Sequence, residues 1–286
     1  MITINATVVS AEYSWGTEFM KTRIISGVVA AAVVAGLLLL NSFFPITVVI
    51  AVAVLAAIAV YEMLFLTGAV KTKAPVIIAM IYVAVMQFSY LGFYQQALTV
   101  VYVITLAILA VLYHNKFGVS ELVMTIAMPI IIGFAFGCLA SIINSNAGLL
   151  HFFLLFNFAC VTDMGAYFVG SFFGKHKLAP EISPKKTVEG AVGGIVCSML
   201  GTVIICLVFQ AILNKPINIL SLVIATPVLS VIGMFGDLFA SVIKRYFGIK
   251  DYGNIMPGHG GVLDRTDSML LIAPAFALLL SFVSVI

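Results

Sequence analysis

The sequence predicts an all-α, polytopic integral membrane protein with about nine transmembrane helices and a cytoplasmic N-terminus. Hydrophobic residues make up 63% of the 286 residues and charged residues only 9%, whereas a soluble domain carries about 25% charged residues. A bilayer core about 30 Å thick requires about 20 consecutive apolar residues per helix. The chain divides into nine segments of about this kind, so lipid is the expected surrounding of most residues and an ordinary soluble fold is excluded.

The predicted spans follow one another with short junctions. They cover residues 25–44, 46–66, 76–94, 97–113, 120–143, 148–173, 188–213, 218–246 and 266–286. Alternate junctions hold thirteen of the fourteen Lys and Arg residues, with Lys215 as the exception. Because basic residues concentrate on the cytoplasmic side, this asymmetry places the N-terminus inside and the C-terminus outside. The eighth span is longer than the bilayer is thick, so it is expected to tilt, to project from the membrane, or to break near Pro227 or Gly233.

The chain is expected to divide into three parts. Residues 1–19 are polar and lack the basic start and apolar core of a signal peptide, so we interpret them as a poorly ordered added leader, with the natural chain beginning at Met20. Residues 20–147 are predicted to be structural transmembrane helices, in which Glu62 and Glu121 cap helices or face the surface. Residues 148–286 are predicted to form a catalytic region with its site on the cytosolic side. The four cysteines lie in apolar stretches without CxxC spacing, which indicates core side chains.

Acidic residues inside the later spans mark the candidate site. A carboxylate in the bilayer costs at least about 2.5 kcal/mol without a partner, so Asp163 and Asp237 are functional candidates. On a helix, Asp237 shares one face with Ser241, Lys244 and Arg245, which follow at i+4, i+7 and i+8. The alternative is a buried structural Asp–Lys pair.

A glycine-rich segment follows this face. Lys250 and Asp251 precede the run from Pro257 to Gly261, where the backbone N–H groups of Gly260 and Gly261 can approach an anion beside His259. The segment leads into Asp264, Arg265 and Asp267 at the start of the last span. Two carboxylates beside a phosphate-binding turn are a plausible Mg²⁺ site, although helix capping by Asp264 is the alternative.

A second polar loop runs from Gly174 to Gly190. Ser183, Lys185 and Lys186 lie just before the seventh span. They are either ordinary positive-inside residues near anionic lipid or groups that bind a triphosphate, and the sequence pattern leaves both open.

The stretch from Ser241 to Asp267 closely resembles the pattern of phosphatidate cytidylyltransferases, also called CDP-diacylglycerol synthases. The pattern reads S-x-x-K-R, four residues, K-D, and then P-x-H-G-G-x-x-D-R-x-D, and every fixed position is met. Met256 replaces the Leu, Ile or Phe that usually precedes the proline. The elements D-x-G-A-Y-F-x-G at Asp163–Gly170 and S-P-x-K-T-x-E-G at Ser183–Gly190 match as well.

This resemblance implies a Mg²⁺-dependent nucleotidyltransferase of phospholipid biosynthesis. Such an enzyme transfers CMP from CTP to phosphatidic acid and releases CDP-diacylglycerol and pyrophosphate, with Mg²⁺ acting alone or with a second cation. The resemblance assigns metal binding to Asp237, Asp264 and Asp267, catalysis to Lys244, Arg245, His259, Arg265 and Asp267, and substrate binding to Ser183, Lys185, Lys186, Ser241, Gly260, Gly261, Asp163 and Asp251.

The expected partners are CTP, phosphatidic acid and membrane lipids, without nucleic acid. A multi-pass protein of the bacterial cytoplasmic membrane is expected, with the active site facing the cytosol. A homodimer is suggested by the resemblance and by small residues such as Gly193 and Gly194, which permit close helix contact.

Four other functions remain open from the residues alone. A secondary transporter also carries intramembrane carboxylates, but it would spread polar residues over two repeat halves. A CTP-dependent lipid-alcohol kinase or a cytidylyltransferase for ether-lipid phosphates would share nucleotide-handling features. A non-enzymatic scaffold would leave the clustered charges unexplained.

Overall fold

The computed structural model describes residues 6–88, 93–255, 260–283 and 285. Within these residues the chain is almost entirely helical, as expected where lipid offers the backbone no hydrogen-bond partner. The helices are α1 (Ala6–Phe43), α2 (Ile46–Leu66), α3 (Lys73–Met86), α4 (Phe93–Leu112), α5 (Val119–Ile143), α6 (Gly148–Phe173), α7 (Val188–Leu213), α8 (Ile219–Tyr246) and α9 (Leu263–Phe282). The strands β1 (Lys177–Ala179) and β2 (Ser183–Thr187) form an antiparallel hairpin between α6 and α7.

Eight of these helices are long and apolar enough to cross a membrane, which confirms the all-α polytopic architecture for the described part of the chain. The exception is α3, which has 14 residues and is therefore about 21 Å long. The sequence analysis placed this span at residues 76–94 because hydropathy counts apolar residues without showing where a helix ends. In the structure the buried Gln87 side chain ends α3, donating hydrogen bonds to Val83 O at 3.0 Å and Gly133 O at 3.1 Å.

Helix α1 begins earlier than predicted. Its described part starts at Ala6, so residues 6–19 are helical, while the interpretation of residues 1–19 as an added leader stays a prediction. This stretch lacks proline and so nothing in it forces the backbone out of the helix upstream of the apolar segment. From Ile24 to Phe43 no side chain of α1 is buried, which fits a helix surrounded by lipid.

Two apolar clusters hold the remaining helices together. The first joins α2, α3, α4 and α5 to residues around the candidate site, among them Tyr252, Val262 and Leu263. The second joins α6, α7, α8 and α9, where Phe158 packs edge to face on Phe276 with 5.3 Å between ring centroids. Because the first cluster extends to the α8–α9 segment, the N-terminal helices contact the region that holds the predicted site residues.

A seam of glycines brings α6 and α7 into close contact. A Cβ atom at Gly194 would lie 2.5 Å from Thr162 O, and one at Gly193 would lie 2.5 Å from the Val169 side chain. Neither position can carry a larger side chain without moving the neighbouring helix. The small residues that suggested a dimer contact are therefore used within the chain, and the homodimer stays a prediction.

Buried hydroxyl and amide groups connect α6, α7 and α8. Asn157 Nδ2 donates to Ser198 O at 2.9 Å, and the hydroxyls of Thr202 and Thr226 lie 2.9 Å apart. Such interhelical bonds contribute on average about 0.6 kcal/mol each in membranes. They fix the part of α6 that immediately precedes Asp163.

Helix α8 runs without a break over 28 residues despite Pro227, which makes it about 42 Å long. The expectation of a break near Pro227 or Gly233 is therefore wrong. The glycines serve packing instead: a Cβ at Gly233 would lie 2.4 Å from Ile272 Cδ1, and one at Gly236 would lie 2.9 Å from Ser268 O. The close approach of α9 brings the carboxylates of the two helices together.

Two helices contain a single π-helical turn near the predicted site residues. In α2 this turn covers Glu62–Leu66, and in α6 it covers Asn157–Val161, just before Asp163. π-helical turns rotate the following residues relative to a regular α-helix and occur often at functional sites. Here each turn lies next to a carboxylate that reaches the candidate site.

Candidate active site

The hairpin and α8 meet through an ion pair. Lys186 at the end of β2 places its Nζ 2.5 Å from Asp237 Oδ2, and both side chains are about one-fifth exposed. The hairpin holds this lysine in place through the pairing of Lys177 with Thr187, and Thr187 Oγ1 caps α7 by accepting the Gly190 N–H at 3.2 Å. The polar loop and the intramembrane carboxylate, which lie far apart in sequence, therefore form one site.

Carboxylates from α6, α8 and α9 converge beside this pair. The carboxyl groups of Asp237 and Asp267 lie within hydrogen-bonding reach of each other. Asp163 has Lys186 and Asp237 as charged neighbours and the Ser268 side chain nearby. The three helices thus gather three acidic groups that the sequence analysis could only name one by one.

Lys244 connects α8 to the start of α9. Its Nζ lies 3.0 Å from Asp264 Oδ1 and 3.7 Å from Asp267 Oδ2. The ammonium group also lies 5.3 Å from the centre of the Tyr252 ring. Asp237 and Lys244, which the sequence analysis placed on one face of α8, both lie close to Asp267, and their shared role in a site stays a prediction.

Asp264 is buried and fully engaged with the protein. Its Oδ2 accepts the N–H groups of Tyr252 at 2.7 Å and Gly261 at 3.0 Å, while Oδ1 accepts from Lys244. These bonds hold Tyr252 and Gly261 against the start of α9. The Gly261 N–H, predicted to contact phosphate, is directed at this carboxylate, so a substrate contact by Gly261 would require that bond to be exchanged.

Glu62 has the capping role that the sequence analysis gave as one of its two alternatives, but its partner lies in another helix. It is fully buried in the π-helical turn of α2, and its carboxylate accepts the N–H of Val262 at 3.0 Å and of Leu263 at 2.8 Å. It is indeed a cap, but of α9 and not of a neighbouring segment. No local pattern pairs a glutamate with a helix that begins about 200 residues later, so the only available signal was a carboxylate inside an apolar span.

The remaining predicted residues surround this centre at different depths. Arg245 donates to the carbonyls of Ile182 at 3.4 Å and Ile249 at 3.3 Å, which ties the hairpin to the end of α8.

Ser241 is half-buried, whereas Lys250, Asp251 and Arg265 are exposed. Gly260 adopts a φ of +82°, a conformation that favours glycine. His259 lies outside the described residues, so its role stays a prediction.

A cavity of about 230 Å³ opens between the hairpin, α6 and α8. Polar and apolar side chains both line it, and the predicted residues Asp163, Ser183, Lys185, Lys186 and Asp237 are among them. Met234, Leu178 and Tyr167 supply apolar surface. This mixture suits a ligand with an anionic head group and an apolar part.

The donor set fits a hard divalent cation that is completed by its substrates. Among the described residues no three His, Cys, Asp or Glu side chains form a metal site by themselves. Mg²⁺, however, is usually held by one or two carboxylates together with water and substrate phosphates. Asp237 and Asp267 supply two neighbouring carboxylates, and a bound cation would relieve the repulsion between them.

Comparison with known proteins finds relatives that match nearly the whole chain. The family model for the cytidylyltransferase family matches residues 21–283. The phosphatidate cytidylyltransferase of Bacillus subtilis (strain 168) is 37% identical over 277 residues, which cover 93% of this chain and 99% of the relative. That of Staphylococcus aureus (strain COL) is 32% identical over 91% of this chain and 99% of the relative, and that of Staphylococcus epidermidis (strain ATCC 12228 / FDA PCI 1200) is 46% identical over 50% of this chain and 58% of the relative. The chain therefore belongs to the cytidylyltransferase family.

Proposed function

We propose that this protein is a Mg²⁺-dependent phosphatidate cytidylyltransferase. It transfers CMP from CTP to phosphatidic acid and releases CDP-diacylglycerol and pyrophosphate. The observation that carries the proposal is the convergence of Asp163, Asp237 and Asp267 with Lys186 and Lys244 beside the cavity. The family relationship supplies the reaction class.

The reaction requires charge neutralisation more than proton removal. A phosphate oxygen of phosphatidic acid attacks the α-phosphorus of CTP, and the bond from that phosphorus to the oxygen bridging the α- and β-phosphates breaks, so that pyrophosphate leaves. The attacking phosphate is already an anion, hence no strong base is needed. What the site must do is hold two mutually repelling anions in line.

The two lysines are placed for this task. Lys186 lies at the cavity wall and Lys244 lies between the carboxylates of α9. Each ammonium group is paired with an aspartate, which keeps it oriented until phosphate oxygens compete for it. Arg245 and Arg265 would add positive charge at the rim, where substrate phosphates enter.

Asp237 and Asp267 would hold the Mg²⁺, and Asp163 is close enough to assist. When bound, the ion would neutralise phosphate oxygens of CTP and of the leaving pyrophosphate. Asp264 was predicted as a third ligand. Its oxygen atoms already accept three hydrogen bonds, so we assign it chiefly to holding the glycine-rich segment.

The site is proposed to face the cytosol of a bacterium. The α6–α7 and α8–α9 segments, which build the site, contain eight of the fourteen Lys and Arg residues between Lys175 and Arg265, counting Lys244 and Arg245 at the end of α8. Basic segments favour the cytoplasmic side, where CTP is available. The same argument places the N-terminus inside, and the homodimer is proposed from the family resemblance alone.

A label-tracing assay tests the proposed reaction. Purified protein is incubated with Mg²⁺, phosphatidic acid and CTP that carries its label at the α- or the γ-phosphate. We expect α-label in the lipid and γ-label in pyrophosphate in equal amounts, with loss of both products for Lys186→Met and normal rates for Lys215→Met. Transfer of γ-label to a lipid alcohol would instead identify a kinase, and activity restricted to ether-linked substrates would identify the ether-lipid enzyme. Either result would refute the proposal.

A further inference from the structure

Glu62 is a buried acid in the N-terminal half of the chain that has no role in the proposed reaction. Its side chain is wholly inaccessible, although it lies inside a membrane-spanning helix. Each of its two carboxylate oxygen atoms accepts one hydrogen bond, from the N–H groups of Val262 and Leu263 at the start of α9. These are two of the N–H groups that a helix leaves without an intrahelical partner.

The glycines around Glu62 leave room for the carboxylate and for nothing larger. A Cβ atom at Gly253 would lie 2.6 Å from Glu62 Oε1, and one at Gly261 would lie 2.4 Å from the same oxygen. Both glycines belong to the α8–α9 segment. The carboxylate therefore lies against Gly253 and Gly261 and, through its hydrogen bonds to Val262 and Leu263, holds the start of α9 relative to α2.

The hydrogen bonds of Glu62 also set the position of the site carboxylates. Asp264 and Asp267 follow Leu263 within a little more than one helical turn. Asp264 then holds Tyr252 and Gly261 through their N–H groups. A shift at the first turn of α9 would move Asp267 away from Asp237 and loosen the glycine-rich segment at once.

A purely structural contact between α2 and α9 would not call for a charge. Apolar side chains already join these helices through Val262 and Leu263 in the first apolar cluster. A buried carboxylate adds a desolvation cost, whereas apolar residues of similar volume hold helices together without it. The carboxylate adds a constraint on the orientation of α9, because two N–H groups of that helix start must point at it.

We propose that Glu62 is a positioning residue that orients the first turn of α9 and thereby sets the Asp237–Asp267 pair, and the contacts of Asp264 with Tyr252 and Gly261, for catalysis. The catalytic part of this proposal rests on the proposed function, while the structural part does not. The N-terminal helices are then part of the catalytic apparatus and not only a membrane scaffold.

The first test replaces the charge with an isosteric amide. In Glu62→Gln, one N–H group of α9 would face the donor side of the amide. We expect amide hydrogen exchange in peptides covering residues 260–266 to accelerate at least tenfold, while peptides from α6 and α7 keep the wild-type rate. We also expect kcat to fall at least tenfold, with the KM for phosphatidic acid changed by less than about twofold. Glu121→Gln is the matched control, because Glu121 is an acidic residue near the end of a different membrane helix, and it should leave both measurements unchanged.

A second variant acts from the opposite side of the contact and does not depend on the folding of Glu62→Gln. Gly253→Ala introduces a methyl group against the carboxylate, and Gly36→Ala, where a Cβ meets nothing within 4 Å, is its control. We expect Gly253→Ala to reproduce the faster exchange at 260–266 and the lower kcat, and Glu62→Asp to lie between wild type and Glu62→Gln in both measurements.

The outcomes separate the two proposals. If exchange at 260–266 stays at the wild-type rate in Glu62→Gln, or rises equally in all helices, Glu62 is not a positioning residue. If exchange accelerates locally but kcat per folded molecule is unchanged, the contact is structural only and the inference is wrong. If the wild-type protein forms no CMP-bearing lipid, the proposed function fails while the exchange measurements still decide whether Glu62 orients α9.

Discussion

Asp264 and Asp267 lie three residues apart, yet the structure predicts different effects of their removal on stability. Asp264 has a side chain that is 3% exposed and accepts three hydrogen bonds, whereas Asp267 is 14% exposed and touches Asp237. We therefore compare Asp264→Asn with Asp267→Asn, because the asparagine side chain has nearly the same shape as the aspartate side chain. Both should lose turnover by at least about 100-fold, the usual effect of removing a group that organises transition-state charge.

The expected stability changes follow from the contacts. In Asp264→Asn the amide oxygen can face the two backbone N–H groups, but the amide nitrogen then faces Lys244 Nζ. Removing one partner of a buried ion pair costs about 3–5 kcal/mol, and the lower value is appropriate because Lys244 retains Asp267 at 3.7 Å. Since 1 kcal/mol shifts Tm by about 2–4 °C in a protein of about this size, the Tm should fall by at least about 6 °C.

Asp267→Asn removes a repulsion along with a weaker attraction. Two unit charges 4 Å apart interact by about 4 kcal/mol at an effective dielectric constant of 20, and the repulsion from Asp237 is of this kind. The lost attraction is the longer contact of 3.7 Å to Lys244. The two terms offset each other, so the Tm of Asp267→Asn should stay within about 3 °C of wild type or rise.

Thermal unfolding in detergent with a thiol-reactive fluorophore measures this difference, because all four cysteines lie within helices. A chelator keeps divalent ions out of the comparison. Asp251→Asn is the control, since its carboxylate is exposed and such substitutions usually change stability by less than about 0.5 kcal/mol. The reasoning is refuted if Asp264→Asn unfolds at the wild-type temperature or if Asp267→Asn loses as much stability as Asp264→Asn.

Three further predictions concern other parts of the site and its support. Lys186→Met should reduce kcat/KM at least 100-fold in the label-tracing assay because it removes the cation paired across the cavity wall, while the exposed Lys185→Met should reduce it less than tenfold; equal losses would contradict the geometry. Gly194→Ala should destabilise the protein by about 1–3 kcal/mol through overpacking of the glycine seam, seen as a lower Tm, whereas Gly36→Ala should have no such effect. Burial raises the pKa of Tyr252. The stability that its neutral phenol contributes is therefore present below about pH 10 and is lost as the pH rises through the higher pKa of the folded state. The Tm difference between wild type and Tyr252→Phe should shrink above pH 10, and a constant difference would show that the neutral phenol does not contribute this stability.

The fold was largely predictable from the sequence because lipid imposes one rule on every span. Apolar runs of about 20 residues must be helical, and eight of the predicted spans are helices of sufficient length. The failures occur where hydropathy carries no information. It could not show that α3 ends at Met86 or that the glycines of α8 serve packing against α9.

The site was predictable as a set of residues but not as an arrangement. The spacing of Asp237 and Lys244 on one helix gave their common face, since helical periodicity is local. The pairing of Asp237 with Lys186 and the contact of Glu62 with α9 depend on which helices become neighbours. Helix neighbours are set by glycine seams and apolar clusters distributed over the whole chain, and a single sequence does not show which of these surfaces meet.

The bond between α2 and α9 has a consequence for how the protein is made. Val262 follows Glu62 by 200 residues, so a ribosome delivers the acid to the membrane long before either of its partners exists. Until then the carboxylate must stay protonated or remain at the water boundary, because an unpartnered charge in lipid costs at least about 2.5 kcal/mol. A chain that stops short of α9 would keep this unpartnered carboxylate permanently.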